Sequence, residues 1–177
     1  MDINVVPIHL SNSALLEEIL AELSYKFNCR INLIELEINI EPAFSIERKQ
    51  FFSTQLLANA INLTGNLDGK VLLLTEFDLY VPALTFVFGE AQLNGKHSIV
   101  SLCRLHEEFY SGASNYKLLF ERALKEILHE LGHNFGLKHC LNWDCVMHAS
   151  LSIEEVDIKG DKYCKICAAS VEGYKGL

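Results

Sequence analysis

The chain has 177 residues, half of them hydrophobic, which is enough for one well-packed domain and short for two. Its formal net charge of −8 offers no general attraction to nucleic acid or anionic lipid, which disfavours both as partners. The first residues lack the basic and apolar regions of a secretory signal, and no apolar run approaches the ~20 residues that span a bilayer. We therefore expect a single cytoplasmic domain over residues 1–177 that acts as a monomer.

Hydrophobic periodicity predicts a mixed α/β fold. A continuous apolar run at 70–75 is typical of a central, doubly covered strand, and Asn94-Gly95 between two β-rich runs indicates a hairpin turn. Strands and helices in alternation are typical of an α/β domain, here with a twisted mixed sheet and an antiparallel edge strand. The predicted strands cover 3–9, 30–40, 70–75, 84–92 and 98–103, and the predicted helices cover 14–26, 45–61 and 114–135.

The stretch from His129 to His139 has the spacing HExxHxxGxxH. On a helix, His129 and His133 lie four residues apart, so both imidazoles project from one face toward a single metal ion. Glu130 lies where its carboxylate can take a proton from water. Gly136 permits the positive φ that ends the helix and turns His139 back as a third ligand, leaving a fourth position open. We predict a catalytic zinc site with Glu130 as general base.

The cysteines fall into two groups. Cys29 and Cys103 stand alone in apolar stretches and are expected to be buried small hydrophobic residues. The others form a C-x4-C pair and a C-x2-C pair, which favour a metal over disulfides in a reducing compartment. Two disulfides in a secreted chain are the alternative. These four thiols are Cys140, Cys145, Cys164 and Cys167.

Periodicity fades after the histidine motif. Residues 137–177 hold the four clustered cysteines and too little apolar mass to pack alone, so a metal is the expected staple of this segment. We therefore predict two subdomains within the one domain, a sheet-and-helix part over 1–136 and a C-terminal part over 137–177.

The histidine motif continues directly into Cys140, Cys145 and Met147, followed by the C-x2-C pair at Cys164 and Cys167. This pattern resembles that of the archaemetzincins, a branch of the metzincin zinc peptidases, in which the third histidine runs into C-x4-C-x-M and a later C-x2-C. Every ligand-type position is occupied here, and the order of strands and helices also fits a metzincin-like domain. The resemblance therefore extends over most of the chain.

The resemblance implies two zinc ions per chain, one catalytic and one structural. It implies a Met-turn at Met147, whose side chain forms an apolar floor beneath the imidazoles. Ala149 stands where some metzincins carry a tyrosine ligand. The implied ligands are His129, His133 and His139 for the catalytic ion, and Cys140, Cys145, Cys164 and Cys167 for the structural ion. Four further histidines are expected to be dispensable for metal: His9, His97, His106 and His148.

The resemblance also implies hydrolysis of a peptide or protein whose main chain pairs with the edge strand, expected at 84–92. A covered strand with Phe86 and Phe88 facing the core is the alternative. Arg104 and His106 follow the second hairpin arm and could approach the cleft, although a structural role fits both. Two rival functions remain: a zinc-stabilised peptide-binding protein with little turnover, and nucleic-acid binding through the cysteines. Retention of Glu130 argues against the first and the acidic balance against the second.

Overall fold

The structure is a computed structural model that describes residues 1–176. A five-stranded sheet and a smaller three-stranded sheet form the framework. The strands are β1 (Asp2–Ile8), β2 (Arg30–Leu33), β3 (Phe44–Ser45), β4 (Gln50–Phe52), β5 (Lys70–Thr75), β6 (Leu79–Tyr80), β7 (Gly89–Ala91) and β8 (His97–Ser101). The helices are α1 (Ser13–Phe27), α2 (Ser53–Thr64), α3 (Glu108–Ser111), α4 (Tyr116–Asn134), α5 (Ile153–Ile158) and α6 (Lys165–Ala168).

The large sheet has the order β2-β1-β5-β8-β7. The first four strands run parallel, and β7 pairs antiparallel with β8 at the edge. β5 lies in the centre and is buried along most of its length, as expected for a strand covered on both faces. The predicted mixed sheet with an antiparallel edge strand is therefore confirmed.

The sheet separates two apolar clusters because successive side chains point to opposite faces. Leu72 and Leu74 of β5 pack with α1 and α4, whereas Val71 and Leu73 pack with α2 on the other face. Helix α4, which carries the histidine motif, thus lies against one face of the sheet and contacts both β7 and β8.

Two predicted boundaries were wrong. The strand predicted at 30–40 ends at Leu33, and the helix predicted at 45–61 begins only at Ser53. Residues 44–52 instead form the antiparallel pair β3–β4, and β4 then pairs with β6. The Phe51 ring stacks on Phe77 at 3.9 Å between centroids, a contact between distant parts of the chain that local helical periodicity does not reveal.

The C-terminal segment has more regular structure than the sequence indicated. Helices α5 and α6 were not predicted, and both are short elements of four to six residues. None of the helices within residues 1–176 is both long and apolar enough to cross a membrane.

His97 generates a prediction about pH. It is buried on β8 with its Nε2 atom 2.9 Å from Thr64 Oγ1, and burial lowers the pKa of its imidazole. The unfolded chain then binds more protons than the folded chain as pH falls below ~6.5, so stability decreases on acidification. We expect zinc-saturated wild type to lose more unfolding free energy than His97→Gln between pH 7 and 5, by at most about 1.4 kcal/mol per pH unit. Parallel denaturation profiles would contradict this.

Candidate metal centre and active-site cleft

Helix α4 places His129, Glu130 and His133 on its buried face. Asn115 caps the helix by accepting a hydrogen bond from Leu118 N at 3.1 Å, which satisfies one of the first N–H groups. The helix ends at Asn134, and Gly136 follows with a φ of +87°. This is the turn that the glycine of the motif predicted, and it reverses the chain toward His139.

The two helical histidines aim their ring nitrogens at one point. Nδ1 of His129 lies 2.9 Å from the Val146 carbonyl oxygen, and Nδ1 of His133 lies 2.8 Å from that of Leu137. A carbonyl only accepts, so each Nδ1 carries the proton and each Nε2 presents a lone pair. The two Nε2 atoms are 3.1 Å apart. Neither can donate to the other, so this distance is not a hydrogen bond.

A metal ion bound between these lone pairs would account for their close approach. Two nitrogens bound tetrahedrally to one zinc at about 2.0–2.1 Å are roughly 3.3 Å apart, close to the distance found. Burial lowers the pKa of His129 and His133, and neutral imidazole is the form that binds a metal. His139 joins them, with all three ligand nitrogens within 4.8 Å of one another. The residues therefore fit a zinc ion.

Met147 is fully buried and packs against helix α4 at Gly132, the residue before His133. A Cβ added at Gly132 would overlap its sulfur, so the small residue inside the helix makes room for Met147. Cys140 N donates to the Met147 carbonyl at 2.9 Å, which closes the loop between them. The buried position agrees with the expected Met-turn, and the loop ties it to the cysteine that follows His139.

Glu130 is buried and lines the same cleft as the three histidines. Burial raises the pKa of its carboxyl well above the usual range, and the negative charge of Glu126 raises it further. The carboxyl lies against the backbone of Gly89 on β7: a Cβ built on Gly89 would be 2.6 Å from Glu130 Oε1. Any residue other than glycine at position 89 would therefore displace the Glu130 carboxyl.

The four clustered cysteines form a second group suited to a metal. Their sulfur atoms all lie within 4.8 Å of one another, and all are free thiols. Hydrogen bonds from the backbone N–H groups of Cys167 and Ile166 help to lower the pKa of Cys164 to about 7, which favours the metal-binding thiolate. Burial raises the pKa of Cys145. The donor set, Cys140, Cys145, Cys164 and Cys167, fits a closed tetrahedral zinc site.

A cleft of about 860 Å³ opens over the histidines, between β7 and the segment after Met147. Ser101 N donates to Phe88 O and Gln92 N donates to His97 O, so the ladder alternation leaves Gly89 and Ala91 facing the free edge. The free edge does not extend from Gly89 back to Val87, because the Val87 N–H already donates a hydrogen bond to Leu79 O at 2.9 Å. The prediction of an edge strand is confirmed, but its free part is shorter than 84–92, and Phe88 is buried in the core.

Several candidate residues lie outside the histidine group. Arg104 makes a two-pronged ion pair with Asp78, at 2.7 and 2.8 Å, and stacks over Phe86, so its role is structural. His106 lies 3.0 Å from Glu76. The histidines expected to be dispensable, His9, His97, His106 and His148, are all absent from the group of three ligand-type histidines found within residues 1–176.

The two isolated cysteines are half-buried, so they are less buried than the sequence predicted. Partial burial still raises the pKa of both thiols, that of Cys103 to about 11, which disfavours the reactive thiolate.

Sequence reasoning missed Gly89, Glu126 and Lys159. Glu126 precedes His129 by three positions and Glu130 by four, so its place on the same helical face was readable from the spacing. Lys159 reaches Glu126 from the C-terminal segment, at 2.6 Å, and no local pattern marks that contact.

Comparison with known proteins agrees with this geometry. Residues 13–173 match the family described as Peptidase family M54. The chain is 42% identical over 159 residues to an archaemetzincin of Methanocaldococcus jannaschii, covering 88% of this chain and 87% of the relative. It is 34% identical over 173 residues to an archaemetzincin of Saccharolobus solfataricus, covering 97% and 93%.

Two solved structures are similar in fold. The archaemetzincin from Archaeoglobus fulgidus, complexed with malonate, is 32% identical with a TM-score of 0.81, covering 97% of this chain and all of that one. A zinc-dependent peptidase from Methanocorpusculum labreanum is 28% identical with a TM-score of 0.84, covering 96% and 100%. The fold, the histidine helix and the matched family together define a zinc metallopeptidase. The chain belongs to peptidase family M54, as the resemblance to archaemetzincins indicated.

The contact between Gly89 and Glu130 gives a prediction about packing. We expect Gly89→Ala to lower the unfolding free energy by about 1–3 kcal/mol, because the new methyl overlaps the Glu130 side chain. In a Glu130→Ala background the same change should cost much less, since the space has been vacated. Denaturant unfolding of the four proteins measures this coupling. An equal loss of unfolding free energy in both backgrounds would show that glycine is needed at this position for the conformation of the strand and not for the space of the Glu130 carboxyl.

Proposed function

We propose that this protein hydrolyses peptide bonds at one zinc ion held by His129, His133 and His139, with Glu130 as general base. One observation carries the proposal: two imidazole lone pairs converge to 3.1 Å beside a buried carboxyl that lines an open cleft. In a structural zinc site protein ligands fill all four coordination positions, whereas three histidines leave the fourth position open for water or substrate.

Each residue has a separate part in this reaction. When bound, zinc supplies Lewis acidity, which acidifies water and polarises a carbonyl. Glu130 takes the proton of the attacking water and delivers it to the leaving amine. The carbonyls of Val146 and Leu137 orient the imidazoles of His129 and His133 by accepting their Nδ1 protons.

We further propose that the substrate main chain pairs with β7. Gly89 and Ala91 hold the backbone groups that face the free edge, and Gly89 lies against the Glu130 carboxyl. A peptide added at this edge would therefore lie beside the base. Support for a peptide substrate comes also from the family, whose description is that of a peptidase.

A second zinc ion, held by the four cysteines, is proposed as a structural element. The loop from Cys140 to Met147 is closed by their backbone hydrogen bond, and the backbone of Val146 accepts the His129 ring proton. Folding of this loop around a metal would therefore support the histidine site. The C-terminal segment is in this proposal a metal-held subdomain over 137–177.

Replacement of the base tests the catalytic proposal. Glu130→Ala should retain the fold and both zinc ions, because Glu130 is not a ligand, while peptide hydrolysis falls by at least ~100-fold. Initial rates on a peptide library, with zinc content measured on the same samples, give the comparison. Turnover equal to that of wild type would remove Glu130 from the mechanism. If zinc-loaded wild type cleaves no peptide but binds some, the peptide-binding alternative is correct.

Metal analysis tests the ligand assignments. Fully loaded wild type should contain two zinc ions per chain, and His129→Ala or His133→Ala should each lose one and keep the cysteine-bound ion. Cys164→Ser should lower the melting temperature and weaken zinc binding at the histidines, because His139 and Cys140 are adjacent. Cys103→Ser is the matched control, a cysteine outside the group. Two zinc ions retained in both histidine variants would refute the assignment.

A further inference from the structure

A buried ion pair borders the cleft one helical turn before the histidines. Glu126 lies on α4 and is 4% exposed, and its Oε1 atom is 2.6 Å from Lys159 Nζ. Lys159 is 2% exposed and follows α5, so it approaches Glu126 from the side of the C-terminal segment. Within residues 1–176 each of these two atoms has the other as its only polar partner.

The two residues of this ion pair differ in their access to the cleft. Glu126 lines the cleft, whereas Lys159 does not. Glu126 Oε2 accepts no hydrogen bond from residues 1–176 and, unlike Oε1, is not among the fully enclosed atoms. A molecule in the cleft therefore meets a carboxylate oxygen, with the ammonium group behind it.

Stability alone gives little reason for this arrangement. Removing two charges from water is costly, and apolar residues in place of a buried ion pair are often as stabilising or more so. The Glu126 Oε2 atom, which is open to the cleft, keeps its access to water only while the cleft is empty. A ligand that fills the cleft must therefore supply a hydrogen-bond donor in place of that water.

We propose that Glu126, held in place by Lys159, is a specificity-determining residue that selects a basic side chain, lysine or arginine, next to the scissile bond. The inference rests on the proposed peptidase function. Apolar side chains line part of the same cleft, among them Phe86, Phe88 and Leu151, and they suit the methylene stem of such a residue. Its charged end then donates to Oε2, a charge-assisted hydrogen bond stronger than a neutral one. An acidic side chain in the same place would be repelled.

The test uses matched peptides that differ only at one residue flanking the scissile bond: lysine, arginine, norleucine, glutamine or glutamate, varied on each side in turn. For zinc-loaded wild type we expect kcat/KM to be about tenfold higher for lysine than for norleucine on one side, and lowest for glutamate. Equal values for lysine and norleucine on both sides would overturn the proposal.

Two variants assign the preference to Glu126. Glu126→Leu combined with Lys159→Met replaces the pair by apolar residues, so norleucine should be preferred over lysine. Glu126→Asp, which keeps the charge but retracts it by one methylene, should shift the preference from lysine toward the longer arginine. The second variant decides if the first does not fold. Preferences unchanged from wild type in a folded variant would overturn the proposal.

Glu90→Gln is the matched control for general negative charge. Glu90 also lines the cleft, but its carboxylate is held by the hydroxyls of Ser53 and Thr54. The ratio of lysine to norleucine rates should survive this change, whatever happens to the absolute rate. A ratio lost in Glu90→Gln and kept in Glu126→Asp would place the selectivity elsewhere.

A binding measurement separates this inference from the proposed function. Affinities of the same peptides for zinc-loaded Glu130→Ala, with and without Glu126→Asp, require no turnover. Tighter binding of the lysine peptide that depends on Glu126 supports the inference even if wild type cleaves nothing, in which case only the catalytic proposal fails. Equal binding of the lysine and norleucine peptides refutes the inference whether or not peptides are cleaved.

Discussion

The orientation of two imidazole rings is the constraint on which the rest of the site depends. His129 and His133 could turn their rings many ways, but each Nδ1 proton is donated to a backbone carbonyl. The remaining lone pairs must then face each other across 3.1 Å, which is repulsive unless a cation lies between them. Because the accepting carbonyls belong to Val146 and Leu137, outside α4, the helix alone does not build the site.

The large sheet also fixes the C-terminal end of α4. Lys70 Nζ donates to the carbonyls of Asn134 and Gly95, at 2.8 and 2.9 Å, and so joins the end of α4 to the hairpin turn. Asn94 N donates to the His133 carbonyl, and the Asn134 side chain donates to that of His97. The edge strand and the histidine helix are therefore positioned by one network, which keeps Gly89 against Glu130. We therefore expect a substitution in the hairpin turn to alter the packing around Glu130.

The predictable parts of the molecule were those whose signals are local. The long helix, its histidine spacing and the glycine turn at its end are each encoded within a few neighbouring residues. The Asn94-Gly95 turn likewise predicts its hairpin from two adjacent residues. Residues 45–52 were wrongly predicted as part of a helix. The pairing of β4 with β6 joins distant parts of the chain and leaves no local signal in the sequence. The contact between Glu126 and Lys159 was not predicted for the same reason, since Lys159 lies in a segment without periodicity. The division into parts over 1–136 and 137–177 stays a prediction.

X-ray absorption at the zinc edge distinguishes the two metal sites that we propose for this chain. For fully loaded protein we expect an average of two sulfur ligands per zinc at about 2.3 Å, with the remaining ligands nitrogen or oxygen at about 2.0–2.2 Å. His133→Ala should shift this average toward four sulfur ligands. A spectrum of nitrogen and oxygen ligands alone would contradict the cysteine site, and one of sulfur alone in wild type would contradict the histidine site.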